Sequence, residues 1–122
     1  MLDYQTLAKY MLGKKAVTEE IPFGPETKVF KVLGKMFAMT AWQEMPLAIT
    51  VKCDPDDALA WRARYTSVRP GYYMNKQYWN TVTLDGSIPD KEILGMVDDS
   101  YRLVVNGLKK SDRDRLEAED GP

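Results

Sequence analysis

Apolar residues recur at helical spacing at the start of the chain. Tyr4, Leu7, Ala8, Met11 and Leu12 fall at i, i+3, i+4, i+7 and i+8 and form one stripe. This predicts a helix over Leu2 to Leu12, capped by Asp3 and stopped by Gly13. The period then changes. Ala16 to Phe23 reads as extended chain ending in the turn-rich Pro22-Phe23-Gly24-Pro25. Thr27 to Leu33 and Lys35 to Trp42 are strand-like runs on either side of Gly34, which predicts a hairpin whose turn uses glycine at positive φ. Leu47, Ile49 and Val51 alternate with Ala48, Thr50 and Lys52, the pattern of a half-buried strand.

Asp54-Pro55 opens a second helix, with Asp as N-cap and Pro in the first turn, running to about Tyr65. The stretch Arg69 to Asp85 follows, with Pro70-Gly71 as punctuation and Tyr78 to Leu84 as a strand. In that strand Tyr78, Asn80, Val82 and Leu84 alternate with Trp79, Thr81 and Thr83, so one face is buried and the other available. After the turn Asp85-Gly86-Ser87, a long helix starts near Pro89 or Asp90. It buries Ile93, Val97, Tyr101, Val104 and Leu108 and ends at Gly107. The charged segment Lys109 to Pro122 reads as a short helix after Ser111 that frays. The order of elements implies an α+β fold, a two-layer sandwich in which helices cover an antiparallel sheet. At 122 residues this is one domain, over 1–118, with 119–122 as a frayed tail.

Composition narrows the chemistry. Apolar content of 44% and charged content of 29% suit a soluble globular protein. A net charge of −1 gives no global field toward a polyanion, so a nucleic-acid role would need a local patch. The lone Cys53 allows no internal disulfide, which fits a reducing cytoplasm. No signal peptide is legible, and no apolar run approaches the roughly 20 residues of a membrane span. Histidine is absent, which excludes Ser-His-Asp and Cys-His catalysis and removes the commonest transition-metal ligand. With one cysteine as well, a structural zinc site is close to excluded, and neither a catalytic constellation nor a cofactor is expected.

The candidate chemistry lies between Asp57 and Asp85, where no acidic residue occurs. Arg62, Arg64, Arg69 and Lys76 are interleaved there with Trp61, Tyr65, Tyr72, Tyr73, Tyr78 and Trp79. Cations can neutralise phosphates while exposed rings stack on bases, and Asn75 and Asn80 can hydrogen-bond base edges or backbone. The competing reading places Trp79 and some tyrosines in the core against the last helix, with the amides capping turns. Lys28, Lys31 and Lys35 cluster around the predicted hairpin, either as a phosphate-contacting wing or as protection of a sheet edge. Asp54, Asp56 and Asp57 are explained by a helix N-terminus better than by a metal. Cys53, at a strand–helix junction, is a small buried hydrophobe or a thiolate lowered by the helix dipole. Asp98 and Arg102 are spaced for an i,i+4 ion pair.

Four stretches together resemble the MmcQ/YjbR family. They are FGPETKVFKVLGKMFAM (23–39), ITVKCDP (49–55), VRPGYYMNKQYWNTVTLDGSIPD (68–90) and DDSYRLVV (98–105). The resemblance implies a CyaY-like fold, with helices on one face of an antiparallel sheet, and a DNA-binding role through a "double wing" arrangement. Family members often carry histidine where this chain has Tyr73 and Tyr78, and Gly-Gly where it has Leu33-Gly34. The resulting expectation is a cytoplasmic, non-catalytic DNA-binding domain. Its contacts would be Arg69, Tyr73, Asn75, Lys76 and Trp79, supported by Arg62, Arg64, Lys31 and Lys35. The alternative is a protein-interaction or small-ligand module, because Tyr, Trp and Arg also dominate protein interfaces. A concave pocket would favour the small ligand, and a long cationic track the nucleic acid.

Overall fold

Leu2 to Gly71 and Met74 to Glu119 are described by a computed structural model of the chain. Helix α1 (Tyr4–Leu12) begins where the Asp3 carboxylate accepts from the Thr6 amide at 2.8 Å. Its buried stripe is Leu7, Ala8 and Met11. Strands β1 (Val17–Glu20), β2 (Lys28–Val32), β3 (Lys35–Thr40) and β4 (Ala48–Lys52) follow, then α2 (Pro55–Arg64). The chain closes with β5 (Val68–Pro70), β6 (Trp79–Thr83), α3 (Asp90–Asn106) and α4 (Lys110–Glu119). The described strands form one antiparallel sheet of order β1-β2-β3-β4-β6-β5.

The α+β sandwich expected from the pattern is the fold observed. Strand β5 was not legible. It is three residues long, carries a proline and ends the sheet, a place where a missing N–H is tolerated. The two-residue turn between β2 and β3 has both Leu33 (φ 47°) and Gly34 (φ 82°) in the left-handed region, as a type I′ hairpin requires. Leucine there costs about 1 kcal/mol relative to glycine. A register shift after Phe30 leaves Phe37 as an extra residue in β3, so both Phe37 and Ala38 are buried.

Most of the core-forming strand side chains point toward the helices; buried Val29, paired with Met39, lies on the other face. Phe30, Ala38, Ile49, Val51 and Val82 meet Ile93, Met96, Val97 and Val104 of α3, with α1 beside them. Tyr101 packs edge-on to Phe37 with centroids 5.4 Å apart. Buried Ser100 stitches the layers: its hydroxyl donates to the Phe37 carbonyl at 2.5 Å and accepts from the Lys52 amide at 2.8 Å. The opposite face, bearing Met39, Thr50, Thr81 and Arg69 in one row, carries no helix among the described residues.

Helix α4 starts one residue ahead of the expected Ser111 and reaches Glu119; the rest of the tail, 120–122, lies outside the described residues. The expected Asp98–Arg102 pair does not form. Arg102 pairs with Asp99 at 3.0 Å, and Asp98 takes Lys14 at 2.6 Å and the Tyr10 hydroxyl at 2.8 Å. Asp98 thus ties α3 to α1, a partner the helical spacing could not reveal.

Gly71 sets how closely β5 approaches β6. Its amide donates to the Trp79 carbonyl at 2.8 Å, and an added Cβ would lie 2.9 Å from Trp79 Cβ. Gly71→Ala is therefore expected to cost about 1–3 kcal/mol in urea unfolding, through displacement of the edge strand. A loss below ~0.5 kcal/mol would show that the edge yields freely.

Candidate functional site

The pairing register decides which loops share an end of the sheet. Val32 pairs with Lys35, and Lys52 with Trp79, so the β2–β3 turn, the end of β4 and the connection from β5 to β6 all lie together. The two tips flank β4. Strands stand about 4.8 Å apart, so three spacings place the tip centres about 14 Å apart. The opposite end holds Glu20, Glu26, Glu44 and Asp85, in or beside the loops that leave the strands there. Helix α2 begins at the tip end with exposed Asp54, Asp56 and Asp57, of which Asp54 and Asp57 face Met96 and Asp99 of α3 in the helix layer.

Lys35 lies at one tip, exposed, and Lys76 at the other, also exposed. Lys52, half-buried between them, alternates with the core residue Val51 and so points to the helix-free face. Lys35, Lys52 and Lys76 make no ion pair among the described residues. Lys31 lies near the first tip but pairs with Glu20 at 3.3 Å. Lys28 pairs with Glu19 at 3.8 Å and lies over the Trp42 ring at 4.3 Å, on the helix side. Asn75 caps the second tip by accepting from the Gln77 amide at 3.0 Å. Trp79 is half-buried on the helix-free face and does not close the core against α3. Tyr78 is exposed. Tyr73 and Tyr72 lie outside the described residues.

The remaining candidates are elsewhere. Arg62 points inward. Its Nε donates to Asn80 Oδ1 at 2.6 Å, and the same guanidinium holds the carbonyls of Lys76 and Trp79. It shapes the second tip from behind. Arg64 pairs with Glu92 at 3.2 Å and lies over the Trp61 and Tyr65 rings, sealing α2 against α3. The same Glu92 accepts from the Tyr65 hydroxyl at 2.6 Å, which raises that phenol above its ordinary range. Arg69 sits mid-face, donating to Thr83 Oγ1 at 2.5 Å. The register thus gathers Lys31, Lys35, Asn75, Lys76 and Trp79 and leaves Arg62, Arg64 and Arg69 in other roles. Sequence reasoning missed Lys52, although its alternation with Leu47, Ile49 and Val51 already marked it as turned from the core.

Cys53 is buried, and burial, with Asp57 next, pushes its thiol up to about 11 rather than down. The helix dipole does not make a thiolate here. Native protein at pH 8 is expected to label with a thiol reagent only as fast as it opens, and denatured protein at once. The folded value lies above the ordinary 9.0, so the group's contribution to stability is complete below pH 9 and is lost as pH rises through about 11. Rapid native labelling at pH 8 would contradict this assignment.

A helix-backed antiparallel sheet with one helix-free face and two β-tips at one end is a small α+β domain. The sequence profile of the YjbR family matches residues 12–103, and the chain belongs to that family. It is 39% identical to the Escherichia coli O157:H7 protein YbdF over 95 residues, 78% of each chain. To the Escherichia coli (strain K12) protein YjbR it is 34% identical over 110 residues, covering 90% of this chain and 93% of that one. The crystal structure of Deinococcus radiodurans protein DR2400 superposes with a TM-score of 0.89 at 36% identity, covering 96% of this chain and 89% of that chain. No helix among the described residues is long and apolar enough to cross a membrane.

Proposed function

We propose that the chain is a non-catalytic DNA-binding domain that seats a phosphate backbone across its two β-tips. The observation carrying this reading is the gathering of Lys35, Lys52 and Lys76 at one end of the sheet, with Glu20, Glu26, Glu44 and Asp85 at the other. A net charge of −1 then conceals a charge separation along the strands. Tips about 14 Å apart can straddle a major groove about 12 Å wide. Tyr78 and the half-buried Trp79 offer ring faces beside the second tip.

Titration of a labelled duplex between about 50 and 200 mM salt tests this reading, with a single strand of the same sequence as comparison. Contacts from Lys35, Lys52 and Lys76 predict a slope of log K against log salt of about −2.7 on duplex. No saturable binding at the lowest salt, or a slope near zero, rejects the proposal for DNA.

A further inference from the structure

We infer that the helix-free face carries a separate small-molecule site, a cleft for an amphipathic monoanion whose acidic head meets Arg69 and whose apolar body lies along Met39, Ala48 and Met74. The cleft encloses about 610 Å³, within the usual range of roughly 300–1,000 Å³ for small-molecule pockets. Its floor is three adjacent strands. The hydroxyls of Thr50 and Thr81 hydrogen-bond to each other there at 2.8 Å, so the floor's polar groups are already satisfied and the surface between them is apolar.

Arg69 supplies the polarity. One guanidinium nitrogen is fixed by Thr83 Oγ1 at 2.5 Å, which orients the group while leaving further N–H donors for a carboxylate or phosphate. Arg69 pairs with no acid among the described residues. Glu44 also lines the cleft, likewise without an ion pair among those residues, so an anionic head is drawn to Arg69 and repelled by Glu44. Phe23 is 71% exposed at the cleft, an aromatic ring poised beside an apolar floor with little covering it. This site shares no residue with the tip lysines, so it stands or falls apart from the DNA reading.

Octanoate, an apolar monoanion, and the neutral 1-octanol are suitable probes. An amide-shift titration with octanoate is expected to saturate, with shifts centred on Met39, Thr50, Arg69 and Thr81. Arg69→Gln should weaken octanoate about tenfold and leave octanol unchanged. Glu44→Gln should strengthen octanoate about twofold. The Lys35→Ala, Lys52→Ala, Lys76→Ala triple variant should bind octanoate like the parent, which separates the two sites. Retained dispersion of the amide spectrum shows that each variant folds. Unsaturable shifts, shifts centred elsewhere, or equal losses of octanoate and octanol in Arg69→Gln would overturn the inference.

Discussion

Asn80→Ala is expected to lower the free energy of unfolding by about 2–4 kcal/mol. Asn80 is 1% exposed, in β6, on the helix side of the sheet. Its Nδ2 donates to the Ala58 carbonyl at 3.2 Å, and its Oδ1 accepts from Arg62 Nε at 2.6 Å. The bond to the guanidinium is charge-assisted, worth about 1.5–3 kcal/mol, and the amide bond adds about 1 kcal/mol more. Truncation also opens a small void in a packed layer. Arg62 keeps its carbonyl acceptors and partial access to water, so the penalty for an unpaired charge is not added in full. The loss should appear as a lower urea midpoint at unchanged m-value. Amide exchange at 74–78 should quicken, because the arginine that holds the Lys76 and Trp79 carbonyls is itself held by Asn80. A double-mutant cycle with Arg62→Met should return a coupling of about 1–2 kcal/mol, and strict additivity would dismiss the clamp.

Replacing Lys35, Lys52 and Lys76 together by alanine is expected to reduce duplex affinity about 100-fold at low salt, at about 1 kcal/mol per lost phosphate contact. The salt slope should flatten from about −2.7 toward zero, each single substitution removing about 0.9. The slope is the more telling readout, because a misfolded variant loses affinity without a graded change in counterion release. The three side chains lie at exposed or half-buried positions and make no ion pair among the described residues, so little stability is at stake. Arg64→Ala makes the matched control. It removes one positive charge from the α2–α3 seam, where Glu92 holds it, and should change affinity less than about twofold. An unchanged slope in the triple variant would remove the tip end from consideration. An Arg64→Ala loss equal to that of a tip lysine would mean that net charge, not placement, governs binding.

The helices were legible because each carries its own signal. The i, i+3, i+4 stripe, the Asp3 and Asp54 caps and the glycines after α1 and α3 act within a few residues of chain. The hairpin and the alternation of Leu47, Ile49 and Val51 are local in the same sense, as is the alternation in β6 that left Trp79, Thr81 and Thr83 off the core. Strand β5 escaped because its pairing with β6, not its composition, makes it a strand.

The site divides along the same line. Residue types could be read from the acid-free stretch, since charge and aromaticity belong to the residues themselves. Their roles depended on partners far away in sequence. Asn80 turned Arg62 inward, Glu92 took Arg64, and Thr83 fixed Arg69 over a cleft whose floor comes from three strands. Lys35 and Lys76 became neighbours only through the order β3-β4-β6, with Lys52 between them. A side chain's chemistry is a property of the residue, but its availability depends on which groups the pairing register brings within hydrogen-bond distance, and that register is set by burial of the whole sheet face against the helices.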